Sequence, residues 1–491
     1  MIIRFGMNQR WTVVAAILLV AFFIQIPLVL NADLGCLLTL NEKILDGRRL
    51  GVDLFELNPP LSVYMYMPAA WLARLTGVAP EVVVIILVIV EISGALLVID
   101  RAAATAKLED RERTLSAWSF VVLLAILPGA VFGQREHIAV IALTPFVAST
   151  ALRWRGLDPG RSVILAGLGA GFAMSIKPFF ALVVGLPIIL NVVRRRSLRP
   201  LLTLETCIAA VVVIGYGAVV VTIFSDYLAT YAPMVAEAYL PIRRDLGSLL
   251  PLPIVVIGAS IAFLRLLAPE EFRLTGSATP WLAAAIGGAA SFFVQGKGWS
   301  YTAFALCMFA IAAPLLHVST RALRPLAVTG GLAAIGLIGL FLSYPAPGFP
   351  PLQARIQALV KNPRLLAITD HTGLGQPLVR QIGGTWVGSS CGAQLLAAGA
   401  MLRQTSAQPT EGVRAKLDGI IDFERRHLLA DVRNGRPSVI LVDSYLLSSF
   451  PFDWLAWAKT DPELRTELDR YREVADVGRV RILVDPSNSG R

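Results

Sequence analysis

Residues 59–77 read PPLSVYMYMPAAWLARLTG. The stretch is apolar and aromatic, and Pro68 and Arg74 interrupt it. It fits either a membrane span or an amphipathic helix lying on a membrane surface. The choice sets the direction of everything after it, because one added crossing inverts every later loop. Counted as a span, it would put Arg194, Arg195 and Arg196 outside, against the excess of Lys and Arg expected in cytoplasmic loops. We therefore read it as an interfacial helix.

Around it the chain alternates between apolar runs and short polar turns. The 491 residues are 55% hydrophobic and 16% charged, and the mean hydropathy is +0.66. A soluble protein of this size needs a charged surface, and the first two thirds lack one. Apolar runs near 11–31, 79–99, 115–132, 137–152, 162–176, 178–193, 202–224, 247–267, 280–294, 302–317 and 325–343 suit the length of a transmembrane helix. The expected fold is a polytopic α-helical membrane protein with about eleven spans. The run after Arg10 is too long for a signal peptide core and has no evident cleavage site before Asp33, so it reads as a retained first span with a cytoplasmic N-terminus. On that topology the inner loops hold roughly 17 Lys and Arg against roughly 9 outside. The net charge of +10 thus reports topology and gives no reason to expect a nucleic-acid partner.

From about Tyr344 the composition changes. A Pro-rich link (YPAPGFPP) leads to a helical stretch, a strand at 364–369, a polar helix at 411–433, a strand at 438–442 and another near 480–484. The pattern predicts a small C-terminal α/β domain over 344–491, following a membrane module over 1–343 whose first outer loop is 32–78. An odd number of spans places this domain outside. Cys36, Cys207, Cys307 and Cys391 are far apart and lack CxxC spacing, so neither a disulfide framework nor a zinc site is expected. Walker, GxGxxG and HExxH motifs are absent, which argues against an ATP-driven pump or a membrane zinc protease.

The outer face collects the polar residues that are hardest to dismiss. Asp33 follows the first span directly, and Asp46, Asp53 and Glu56 share its loop. A lone Asp there suits a helix cap; four acids in one loop exceed what capping needs. Gly133-Gln134-Arg135-Glu136-His137 forms a second outer turn, readable as an interfacial Arg–Glu pair or as an anion site. Lys177, before Pro178, and Lys297, in Gln295–Tyr301, each stand at a turn beside aromatics or a helix break, where snorkelling anchors also occur. Arg243 and Arg244 add charge in another outer loop. Glu91, inside the second span, is expected to make an interhelical hydrogen bond. An acidic loop with single basic residues on separate turns suits an anionic lipid-phosphate donor, in which cations hold the leaving phosphate while a carboxylate activates the acceptor.

In this order and on this shared side, the motifs resemble the GT-C superfamily of integral membrane glycosyltransferases, which use polyprenyl-phosphate sugars. The resemblance rests on Asn31-Ala32-Asp33-Leu34-Gly35, on Gly47-Arg48-Arg49, and on Glu56-Leu57-Asn58-Pro59-Pro60-Leu61 leading into the juxtamembrane helix. Gly133–Glu136, Lys177-Pro178, the Gln295–Tyr301 turn, Pro437–Asp443 and Tyr471–Val474 complete it. It implies that Asp33 is the catalytic base or metal-proximal residue, with Glu56 supporting it. It implies that Arg135, Lys177 and Lys297 meet the lipid phosphate, with Glu136, Arg243, Arg244 and Tyr301 around the substrate. The partners it implies are a polyprenyl-phosphate-linked sugar donor, a lipid, glycan or protein acceptor, and membrane lipids, at the outer face of the cytoplasmic membrane. Leu34 follows Asp33 where many relatives carry a paired acid, so the resemblance fixes no cofactor and leaves a divalent cation open. A flippase for lipid-linked saccharides would use similar basic residues but leaves the acidic loop unexplained; a polysaccharide polymerase or ligase would favour a large loop between spans over a C-terminal domain.

Overall fold

A computed structural model describes residues 7–28, 31–267, 276–319, 349–390, 394–406 and 409–488. The chain divides into two compact units. The first comprises Met1–Leu28, Val82–Val219 and Arg243–Tyr344, and the second Val29–Glu81, Val220–Ile242 and Pro345–Arg491.

The first unit is a bundle of apolar helices. Among the described residues, seven helices of the chain are long and apolar enough to cross a membrane: Asn8–Gln25, Pro80–Thr105, Arg135–Trp154, Pro178–Arg195, Leu204–Ile223, Leu246–Arg265 and Ser300–His317. Three other spans read from sequence are helices of fewer than 18 residues. The run at 115–132 becomes Asp110–Ala125, the run at 162–176 becomes Val163–Ile176, and the run at 280–294 becomes Thr279–Gln295. The run at 325–343 lies outside the described residues. Small residues let these helices approach closely, as membrane helix packing requires. A Cβ at Gly167 would lie 2.5 Å from the Glu205 carbonyl oxygen, and one at Gly171 would lie 2.5 Å from Val212. Spaced four apart, these two glycines line one face of Val163–Ile176 against Leu204–Ile223. The latter helix leaves Val211 69% and Ile214 72% exposed, a surface that water would penalise and lipid accepts.

Charges at one end of this bundle are knitted together. Arg10 is fully buried; it donates to Asp100 (2.6 Å), Asp110 (2.9 Å) and Thr114 (3.1 Å). Arg113 also binds Asp100 at 2.8 Å, Arg153 binds Glu205 at 2.6 Å, and Arg155 pairs with Glu112. These residues belong to turns that the sequence assigns to one side, and each burial of charge is compensated by a partner. Glu91 is half-buried in Pro80–Thr105 without the expected interhelical hydrogen bond among the described residues.

The second unit is built on a five-stranded sheet. Its strands in chain order are β1 (Arg364–Ile368), β2 (Thr385–Trp386), β3 (Val439–Asp443), β6 (Arg472–Val477) and β7 (Val480–Val484); β4 (Tyr445–Leu446) and β5 (Phe450–Pro451) form a separate pair. The order is β2-β1-β3-β7-β6, parallel across β2-β1-β3 and antiparallel across β3-β7-β6. β3 is buried along its whole length, as a central strand with the apolar run Val439–Val442 should be. Helix Glu411–Gly435 buries Leu417, Ile420, Ile421, Leu428 and Val432 in the same core.

The remainder of this unit comes from far along the chain. Within it, residues 59–77 form Leu61–Tyr64 and Met67–Thr76. The longer of the two has ten residues, about 15 Å against a hydrocarbon core of about 30 Å, and neither is among the helices long and apolar enough to cross a membrane. Trp71 (50% exposed), Leu75 (63%) and Val78 (40%) form an outward apolar stripe over buried Ala69, Ala70 and Ala73, the pattern of an interfacial helix. The 235–239 segment packs on helix Leu395–Ser406, where a Cβ at Gly399 would lie 2.1 Å from the Ala238 carbonyl oxygen. One sequence expectation is overturned: Cys36 is disulfide-bonded. Cys207 and Cys307 are free thiols; the fourth cysteine, Cys391, lies outside the described residues. Sequence spacing could not reveal this bond, because the fold brings the helix bearing Cys36 into a unit made mostly from the C-terminal third.

Candidate active site

The basic residues gather in the first unit. Helix Arg135–Trp154 starts at a tight turn in which Gly133 takes a φ of 73°. His137 holds that turn: its Nδ1 accepts from the Gly133 N–H at 2.9 Å, and its Nε2 faces the Leu124 carbonyl at 2.7 Å. The second contact puts the proton on Nε2, so the ring is neutral and structural. The turn delivers Gln134 (1% exposed), Arg135 (4%) and Glu136 (2%) into the bundle.

Lys177 stands where Val163–Ile176 ends and Pro178 prevents its continuation. Its Nζ lies 2.5 Å from Glu136 Oε1 and 5.8 Å from the centre of the Tyr301 ring. The second Glu136 oxygen is buried with no hydrogen-bond partner among the described residues. Lys297 is 6% exposed in the turn after Thr279–Gln295. Burial, and then the nearby positive charges of Arg243 and Lys177, pull its amine down to about 7. The 243–244 segment is fixed onto the same turn: Arg243 donates to the Phe293 carbonyl at 2.5 Å, and the Arg244 N–H donates to the Gly296 carbonyl at 2.9 Å. Arg135, Lys177, Lys297, Arg243, Arg244, Glu136 and Tyr301 therefore belong to one neighbourhood of one unit. Its basic groups outnumber the Glu136 carboxylate.

The candidate acids lie in the second unit. Asn31, not Asp33, caps helix Ala32–Leu45; its side chain accepts from the Asp33 N–H at 2.9 Å. Asp33 occupies the first turn, where the helix dipole favours a carboxylate. Asp46 pairs with Arg74 at 2.8 Å, and Asp53 accepts from the Arg49 N–H at 2.9 Å, so both have local structural work. Glu56 accepts from Asn58 at 2.5 Å.

Contacts invisible in the sequence dock this loop on the sheet. Arg380 donates to both oxygens of Glu42 (2.7 and 2.9 Å), to Glu81 (2.5 Å) and to Thr39 (3.2 Å). Lys43 donates to the Gly388 carbonyl at 2.6 Å, and burial lowers its amine to about 8. The Phe55 N–H donates to the Ser389 carbonyl, and the Phe55 ring packs on Tyr231 and His427. Asp431 accepts from the Ser389 N–H and hydroxyl; burial raises its carboxyl to about 6. Pairs separated by more than 300 residues leave no periodic signal by which to find them. Among the described residues, no group of three or more His, Cys, Asp or Glu side chains is placed to hold a metal ion.

No protein-family model matches the sequence, and no curated protein matches it at a significant level. Among solved structures, ArnT from Cupriavidus metallidurans in the apo state is similar at a TM-score of 0.57 and 14% identity, over 99% of this chain and 100% of that one. The chain has the GT-C fold. ArnT bound to undecaprenyl phosphate is similar at a TM-score of 0.53, with the same identity and coverage. The GT-C fold thus covers both the helical bundle and the mixed sheet with its docked first loop.

Proposed function

We propose that this protein transfers a sugar from a polyprenyl-phosphate donor to a lipid, glycan or protein acceptor at the outer face of the cytoplasmic membrane. The observation that carries the reading is the buried basic neighbourhood around Glu136 and Lys177. Like charges held together in the interior of an apolar bundle are costly unless an anion joins them. A lipid phosphate is such an anion, and the GT-C fold of ArnT was captured with undecaprenyl phosphate. The disulfide at Cys36 supports an extracytoplasmic first loop, because disulfides persist in oxidising compartments.

In this reading an acceptor hydroxyl attacks the anomeric carbon as the carbon–oxygen bond to phosphate breaks, with inversion. Asp33 takes the hydroxyl proton, and Glu56 supports it. The electron pair of the broken bond leaves with the phosphate, whose charge Arg135, Lys177, Lys297, Arg243 and Arg244 offset, beside Tyr301 and Glu136. The test is transfer of a labelled sugar from a lipid-linked donor by the purified protein. Asp33→Asn should lower turnover by about 10²–10⁴-fold while donor binding persists. Full turnover in that variant would remove Asp33 as the base, and no transfer from any lipid-linked sugar by the wild type would remove the proposed activity.

A further inference from the structure

Gln134 combines features that the phosphate reading leaves unused. Its side chain is 1% exposed, and among the described residues neither its carboxamide oxygen nor its nitrogen has a hydrogen-bond partner. It occupies the cap position of Arg135–Trp154 yet makes no capping hydrogen bond with its side chain. Two residues on, Glu136 gives one oxygen to Lys177 and leaves the other buried and unpaired. Buried polar groups are nearly always satisfied, and an unpaired one destabilises the fold. Two such groups at one helix start mark a place completed by a ligand.

The chemistry of these groups narrows that ligand. An ionised phosphate ester only accepts hydrogen bonds. It can meet the carboxamide N–H groups, but it leaves the carboxamide oxygen unpaired and repels the free Glu136 oxygen. A hydroxyl both donates and accepts, so neighbouring sugar hydroxyls satisfy both ends of the carboxamide and the carboxylate oxygen together. Resting on the function proposed above, we infer that Gln134 and the free Glu136 oxygen bind hydroxyls of the donor's glycosyl ring, while the surrounding cations hold its phosphate. Gln134 is then a determinant of donor-sugar recognition, distinct from the lipid-phosphate contacts.

Gln134→Met tests this, because Met keeps the length of the side chain and removes both polar ends. The probes are undecaprenyl phosphate alone and the same lipid phosphate carrying glucose or arabinose, titrated against the full-length protein in nanodiscs. The wild type should bind at least one sugar-bearing lipid more tightly than the bare lipid phosphate. Gln134→Met should weaken that lipid at least tenfold, change the bare lipid less than twofold, and leave the melting temperature equal or higher. Equal loss for both lipids, or a lower melting temperature, would make Gln134 a phosphate or structural residue and overturn the inference. No loss for either, or no gain from either sugar in the wild type, overturns it as well. Failure of the wild type to bind any lipid phosphate would instead defeat the proposed function.

Discussion

The two units use charge in opposite ways. In the first, basic groups crowd around Glu136, and Lys297 loses much of its proton affinity to burial and to its neighbours Arg243 and Lys177. In the second, several carboxylates near the first loop have a local task or a partner: Asp46 with Arg74, Glu42 and Glu81 with Arg380, Asp431 with Ser389. One unit gathers several basic groups around a single carboxylate, and the other uses ion pairs and hydrogen bonds to fix a loop. Under the proposed function, the first unit binds the lipid phosphate and the second carries Asp33 and Glu56.

The largest expected effect comes from breaking the buried pair. Lys177→Met leaves Glu136 ionised in an apolar bundle, where removing one partner of a buried pair costs about 3–5 kcal/mol. Thermal unfolding of the purified variant should shift down accordingly, and affinity for undecaprenyl phosphate should fall. Lys177→Met with Glu136→Gln should recover most of the stability but not the affinity. A single variant that melts with the wild type would show that the pair is not buried as described.

A smaller effect is expected in the second unit. Arg380→Met removes the guanidinium that joins Glu42, Glu81 and Thr39, but these carboxylates are partly exposed and can rehydrate. The loss should be about 1.5–3 kcal/mol. Faster hydrogen exchange over 32–45 and reduced transfer should follow, while binding of undecaprenyl phosphate stays unchanged. If Arg380→Met weakens lipid-phosphate binding as much as Lys177→Met does, the contrast between the units is wrong.

Much of the architecture was legible because membranes and sheets impose strong constraints on composition. Hydrocarbon thickness marks the apolar helices, seven of them span-length among the described residues, and the apolar runs within 364–368, 439–443 and 480–484 mark strands within a residue of their ends. The two-residue β2 and the polar β6 carry no such pattern and escaped the reading. Turn residues such as Arg135, Lys177 and Lys297 stood out because charge in an apolar bundle is rare. Their partners did not: the Glu136–Lys177 pair and the Arg380–Glu42 bridge depend on tertiary approach. Gln134 is equally ordinary in sequence. Only the burial of its carboxamide without a partner makes it informative.

The mildest prediction probes the same contrast through pH. The Lys297 amine sits near 7 in the folded protein and ordinarily titrates near 10.5. Between those values the unfolded chain holds the extra proton, so the stability of the ligand-free protein should rise with pH across about 7 to 10.5. Ligand binding has the opposite sign. A phosphate favours the ammonium form, so binding draws in a proton, and affinity is full below about 7. Above that it should fall by up to about tenfold per pH unit, until the amine of the complex itself begins to deprotonate. Lys297→Arg keeps its charge throughout this range and should bind undecaprenyl phosphate with a flatter pH profile. Identical slopes for wild type and Lys297→Arg would separate Lys297 from the phosphate and leave Lys177, Arg135 and Arg243 as the cations of the site.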